Sequence, residues 1–533
     1  MLNSQDHSQE NLGNETNKLT YQECRSHAEH GNKRLVLKNE INTLSTTVAG
    51  ALPDSHLINA DLAPTKPEDR TWNVWNIASL WVGMSVCIPT YMLAASMIQS
   101  GMNWWQSLLA IFLGNAIVLV PLVVNGHAGT KYGIPFPAFA RASFGIRGAH
   151  VPSILRALVA CGWFGIQTWI GGLAIHEIVS ILWPGWQQLG GSATFMGYSL
   201  PQFLGFFIFW LMNMYFVWAG TETIKWMETF AAPFLLVMGV LLLFWAAGKV
   251  GGIGVILSKS NELVQNQSEL STSKFLLTLF IPWLTAMVGY WATLSLNIPD
   301  FTRYAKSQKD QMLGQGIGLL TAMPLFAFIG VAVTSATLIL YGEAIWNPVD
   351  LLARLTAEYE SPLLGLLSMF VLVIATLSTN IAANVVSPAN SFSNLSPQKI
   401  NFRLGGLIAG CIGIFIFPWK LLDMYQTWLI TYSGLLGAAV GVIVCDYLFI
   451  RKGVLKLRDL YSENGEYTYS NGFNRAALIA LGTGILFALI GKLHPSLQFL
   501  FNGAWFSAAF VSFGVYYFLM RSYVPRTSKV RGT

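Results

Sequence analysis

VGMSVCIPTYML, residues 82–93, places a glycine and a proline in the middle of an apolar run. A proline removes one helical hydrogen bond and clashes with the preceding turn. In lipid the freed carbonyls need new partners, from a neighbouring helix or a bound ion. A second interrupted run, PWLTAMVGYWATLSLNIPDF over residues 282–301, carries Pro282, Gly289 and Pro299. Counted along the chain, these are the first and sixth apolar spans, five apart. Paired interruptions at corresponding positions of two halves mark an inverted-repeat transporter with its site near mid-membrane. Taken alone, the pattern also describes ordinary proline kinks, which membrane helices accept.

Composition widens the argument. Of 533 residues, 53% are hydrophobic and 11% charged, whereas a soluble chain carries about 25% charge. The charge is too sparse to cover a water-facing surface, so the chain reads as an all-α polytopic membrane protein. Twelve spans of about 20 residues are expected, near Trp72–Ile98, Trp104–Asn125, Val151–Trp183, Pro201–Ala219, Trp226–Gly248, Phe275–Pro299, Gly316–Tyr341, Leu363–Ser387, Leu404–Pro418, Leu421–Ile450, Asn474–Leu493 and Ser496–Arg521. The segment from Tyr132 to Gly148 reads as a surface or half-buried linker helix, and the acidic stretch Glu343–Glu360 lies outside a span. Residues 1–70 are polar and expected to form a mostly disordered cytoplasmic tail. Residues 71–451 form the transporter core, 452–521 the last two spans with their loop, and 522–533 a second cytoplasmic tail.

With the N-terminus inside, the Lys and Arg residues concentrate in the inside loops and C-terminal tail. The outside loops hold only Lys249, Lys259, Lys274, Arg354, Lys420 and Lys492. That bias predicts both termini in the cytoplasm, in a cytoplasmic-type membrane. The net charge of +6 is scattered between spans, which argues against nucleic acid as a partner. The five cysteines and eight histidines match no metal or disulfide spacing.

Three constellations carry possible function. In CGWFGIQTWIGG, residues 161–172, Trp163 and Gln167 are one turn apart on one face. The flanking glycines allow close helix approach. This is also how a packed helix looks when its glutamine bonds a neighbour. The eighth span, ATLSTNIAANVVSPANSFSN from Ala375, carries Ser378 and Thr379 within one turn of Ala375. Asn380, Asn384, Ser387 and Ser391 continue a polar stripe. That face is too polar for lipid; it serves either other helices or a guest. Its neutral hydroxyls suit a hard cation, together with carbonyls released where the first span unwinds. Trp291, next to Gly289 and Tyr290 at the suspected break of the sixth span, lies mid-span and not at the interface that tryptophans usually mark; ordinary helix packing would also place it there.

Combined, two mid-membrane indoles could hold a flat ring. The carboxamides of Gln167 and Asn384 each offer one acceptor and two donors. They would read an edge of alternating N–H and C=O groups, as in a hydantoin, allantoin or a nucleobase. No nucleophile–base pair, paired-histidine motif or nucleotide loop is present, so the chain reads as no enzyme and no cofactor is expected. Arg156, Glu177 and Asp446 are the intramembrane ionisable residues, and their positions suggest helix-end anchors or salt bridges.

The stretches GMSVCIPTYMLA (83–94), NGHAGTKYGIPFPAFARASFG (125–145) and RALVACGWFGIQTWIGGLAIH (156–176) closely resemble the nucleobase:cation symporter-1 family. The resemblance runs from about Arg70 to Arg451. It implies a leucine-transporter-type fold, two inverted five-helix repeats plus two extra helices. It also implies substrate stacking on Trp163 and Trp291, with substrate hydrogen bonds from Gln167 and Asn384. Tyr290 stands where the family's hydantoin transporter has glycine. Cys87 stands at a first-helix glutamine, and Leu429 falls near a tenth-helix lining position. The implied sodium ligands are the carbonyls of Gly83, Val86 and Ala375 and the hydroxyls of Ser378 and Thr379.

The expected function is symport of a planar N-heterocycle, ordered allantoin, hydantoin, uracil, with Na+ or H+. An amino-acid symporter of the same fold would instead bind a carboxylate and an amine. A channel would need a continuous polar pore, and an intramembrane enzyme a catalytic pair.

Overall fold

The computed structural model describes residues 57–219, 221–265 and 271–523. Residues 1–56 and 524–533, which include most of both expected tails, lie outside the described residues. Among those described, nine helices are long and apolar enough to cross a membrane, and eleven if each of two bent pairs is one span. The expected ninth span is a shorter apolar helix, Phe402–Phe415. The last span is bent by 81° between Pro495–Asn502 and Ala504–Met520.

The first span is broken as its sequence requires. Asn73 and Asn76 close a reciprocal capping box and start the helix Val74–Ser85. The chain then turns by 58° into Ile88–Gln99. Pro89 sits in the first turn of that second helix, where its missing N–H costs nothing.

The sixth span breaks beside Gly289 and Tyr290, at the suspected position. Pro282 lies inside the continuous helix Thr272–Tyr290, directly after the π-helical turn Leu276–Phe280, which loosens the hydrogen-bond ladder it would otherwise disrupt. The interruption falls at Trp291, which separates that helix from Ala292–Asn297.

Two groups of spans flank these breaks. In the first group, the first span packs along the seventh, where a Cβ on Gly314 would lie 2.5 Å from Ile77 and one on Gly318 2.6 Å from Trp81. The second span, Trp104–Tyr132, is tied to the sixth by Asn125 Nδ2 donating to the Ser295 carbonyl at 2.6 Å. Thr302 Oγ1 also donates to the Gly126 carbonyl at 3.0 Å.

In the second group, the third span, His150–Leu182, meets the eighth, Pro362–Asn384. Asn380 Nδ2 reaches the Phe164 carbonyl at 3.2 Å and Thr168 Oγ1 at 3.1 Å. The tenth span, Tyr425–Cys445, leans on the sixth, with the Leu429 carbonyl 2.9 Å from where a Gly289 Cβ would stand.

Three expectations are corrected on one side of the molecule. The linker helix Phe136–Phe144 is buried along its whole length rather than half-buried. The loop after the tenth span covers it, with Arg141 Nη1 donating to the Leu460 carbonyl at 3.1 Å. Residues 57–70 belong to the packed structure: Leu62 is buried, Tyr461 Oη donates to its carbonyl at 2.8 Å, and Arg70 Nη1 donates to the Thr130 carbonyl at 3.0 Å. Among the described residues Arg156, buried inside the third span, makes no salt bridge. Asp446 does pair with Arg451 at 2.8 Å, and Glu177 lies 4.0 Å from His176.

Candidate functional site

The break in the first span leaves backbone oxygen free. Cys87 N–H turns to the Ser85 carbonyl at 3.1 Å, and Thr90 N–H to the Cys87 carbonyl at 3.1 Å. The Gly83 and Val86 carbonyls therefore lack their usual i+4 donors. The eighth span packs against both halves of the broken helix. There Thr379 Oγ1 donates to the Ala375 carbonyl, which turns the hydroxyl proton away and leaves its lone pairs available. Ser378 is buried beside it. Neutral oxygens of this kind suit an alkali cation.

Trp163 projects from the third span into a cluster of rings. Its centroid lies 5.2 Å from that of Tyr290, 5.0 Å from Trp428 and 6.0 Å from Tyr425, each edge-on. Its Nε1 donates to Tyr432 Oη at 3.1 Å. Trp291 is buried at the sixth-span break and is held by its Nε1 donating to Asn115 Oδ1 at 3.0 Å. It packs edge-on against Trp81 at 5.1 Å.

The structure puts Tyr290 against both indoles, 4.8 Å from Trp291 and 5.2 Å from Trp163. Its hydroxyl is fixed by Thr90 at 3.0 Å and Cys87 Sγ at 3.2 Å. The expected slot between the tryptophans is thus bridged by a phenol in this conformation. Two edge-on ring contacts are together worth roughly 1–3 kcal/mol. Stacking of one planar base gains about the same, so exchange of the phenol for a guest ring is close to balanced.

The two carboxamides differ. Gln167 is 4% exposed, and its Oε1 has no hydrogen-bond partner among the described residues. Asn384 Nδ2 donates to Asn380 Oδ1 at 3.0 Å, which extends the network joining the third and eighth spans. The eighth-span stripe thus serves neighbouring helices at Asn380, while Gln167 retains an unmet acceptor. Leu429 is fully buried where the tenth span meets the sixth.

Sequence reasoning missed three aromatic residues here. Tyr425, Trp428 and Tyr432 follow one another at helical spacing on one face of the tenth span. Tyr425 Oη donates to the Pro89 carbonyl at 3.2 Å and bridges to the first-span break. The run YQTWLITY, residues 425–432, could have signalled that face.

Helices broken at two spans five apart, around a buried aromatic cluster with an unmet amide, define a multi-pass secondary transporter. The profile described as "Permease for cytosine/purines, uracil, thiamine, allantoin" matches residues 64–513. The chain is 44% identical over 490 residues to the purine-uracil permease NCS1 of Arabidopsis thaliana, covering 89% of this chain and 79% of that one. It is 40% identical over 474 residues to the allantoin permease of Bacillus subtilis (strain 168), covering 88% and 94%. Among solved structures, Mhp1, described as a nucleobase-cation-symport-1 family transporter, in a closed conformation with bromovinylhydantoin bound, aligns with a TM-score of 0.68 at 27% identity, over 88% of this chain and 97% of that one. The chain belongs to the nucleobase:cation symporter-1 family. It is an integral multi-pass permease with the leucine-transporter-type fold, not an enzyme.

Proposed function

We propose that the protein imports a small planar N-heterocycle bearing a ureide or imide edge, together with Na+ or H+, across a cytoplasmic-type membrane with both termini in the cytoplasm. Allantoin ranks first, then hydantoin and uracil. The observation that carries the reading is Gln167 Oε1, a buried acceptor without a partner among the described residues, one turn from the Trp163 that touches Tyr290 at the sixth-span break. An N–H on the heterocycle satisfies it, and Asn384 reads the rest of the edge. The relatives named for allantoin and for purine and uracil support the substrate class. The bias of Lys and Arg supports the orientation.

The decisive experiment is uptake into proteoliposomes challenged with allantoin, hydantoins, uracil, cytosine, purines and amino acids, with and without sodium. Competition by amino acids alone would overturn the substrate class.

Size selection follows from Tyr290. A bare ring can replace the phenol, but a ring carrying a large aryl group needs more room. Tyr290→Gly is expected to lower the inhibition constant of bulky 5-substituted hydantoins by about tenfold or more, measured as inhibition of uptake. An unchanged inhibition profile would remove Tyr290 as the size filter.

The freed Gly83 and Val86 carbonyls, with Ala375, Ser378 and Thr379, support a sodium site. Thr379→Ala removes one neutral ligand and is expected to raise the half-saturating sodium concentration by about tenfold. Uptake that follows a proton gradient and ignores sodium would reject the sodium assignment.

A further inference from the structure

Arg156 is the anomaly of the membrane interior. It is 1% exposed, and its Nε and Nη1 find no hydrogen-bond partner among the described residues. An isolated buried guanidinium is strongly unfavourable. Arg156 lies seven residues before Trp163 and eleven before Gln167, so all three share one face of the third span. It stands two turns from the ring cluster, toward the end of the span that joins the buried linker helix.

Asp300 reaches this face through Ser387, which donates to it from the helix Val386–Leu395 packed along the third span, and its charge acts on Arg156 as well as on Arg303. Asp300 follows the broken sixth span and is likewise buried. Its Oδ1 is anchored by the Phe136 N–H at 2.8 Å. Its Oδ2 has only long contacts, Ser387 Oγ at 3.2 Å and Asn297 Nδ2 at 3.4 Å. Arg156 and Asp300 belong to the two different groups of spans, so relative motion of the groups changes their separation.

We propose that Arg156 and Asp300 are a positioning pair that latches the inner end of the path. The guanidinium replaces Ser387 and Asn297 on Asp300 Oδ2 when that side closes fully. The structure captures the pair parted, with Nε and Nη1 of Arg156 unmet among the described residues and Oδ2 held by two long bonds. The latch requires only that the two groups of spans move against each other. It does not depend on which heterocycle is carried.

The test introduces Ala160→Cys, on the same face between Arg156 and Trp163, into the full-length protein in vesicles exposing the inner face. A membrane-impermeant thiol reagent is added, and labelling of residue 160 is read by peptide mass mapping. Arg156→Gln and Asp300→Asn are each expected to raise the labelling rate by about tenfold. The double variant should be no faster than either single, because both remove one interaction. Rates within twofold of the parent in both single variants, or a double effect equal to the product of the singles, would overturn the latch. Arg156→Lys keeps the charge and guards against misfolding of the neutral variant. It should label within about threefold of the parent when Asp300 is present and at the faster rate with Asp300→Asn; labelling of Arg156→Lys that ignores Asp300 also overturns the proposal. Failure of the substrate assignment would leave these rates untouched, since no substrate is added.

Discussion

Trp163→Ala is expected to weaken the affinity of heterocycle uptake by roughly ten- to hundredfold while the protein stays inserted and monodisperse. The indole is the ring on which Tyr290, Trp428 and Tyr425 converge, and the proposed guest stacks where Tyr290 now stands. Loss of one stacking face is worth about 1–3 kcal/mol, or roughly ten- to hundredfold in affinity. Removing a buried Trp side chain also costs about 3–5 kcal/mol of stability, so loss of uptake needs a control. Trp163→Phe supplies it. It keeps a flat ring but loses the bond from Nε1 to Tyr432, worth about 1 kcal/mol, so affinity is expected to fall by only about fivefold. Binding to the purified protein and its thermal unfolding midpoint, measured on all three forms, separate a missing ring from a collapsed cluster. Undiminished uptake by the alanine variant would remove the stacking model.

The parts legible in the sequence are those fixed by backbone chemistry. Proline and glycine in VGMSVCIPTYML force the chain to break near residue 86, and it does so between Ser85 and Ile88. The one-turn spacing of Trp163 and Gln167 fixes their common face whatever packs on it. The sixth-span break was legible beside Gly289, and it falls at Trp291, but Pro282 marks no break because a π-helical turn at Leu276–Phe280 lets the helix run through it. What packs into an open slot depends on tertiary contacts. Composition showed that Tyr290 was bulky, but not that its hydroxyl would reach Thr90 and Cys87 two hundred residues away in sequence. Asp300 was unremarkable in NIPDF until folding brought the Phe136 amide onto it. The burial of Phe136–Phe144 escaped for a related reason: two arginines and two prolines near it read as surface, yet Arg141 finds Asn394 and the Leu460 carbonyl inside.

Gln167→Leu is expected to separate binding from stability. Leucine is close in size and removes a buried acceptor that none of the described residues satisfies. An unmet buried polar group costs about 1–3 kcal/mol, so the unfolding midpoint of the substrate-free protein should hold or rise. Affinity should move the other way. A pocket built to bond a polar edge discriminates strongly once that bond is gone, and loss of one buried hydrogen bond corresponds to roughly ten- to hundredfold in Kd. A glutamine whose only role was to join helices would show the opposite pattern, a lower midpoint with affinity little changed. Asn384→Leu provides the contrast, because its Nδ2 already bonds Asn380. That variant should lose affinity and stability together. If Gln167→Leu destabilises the empty protein and binds the heterocycle as before, the unmet oxygen is structural and the amide-edge recognition model fails with it.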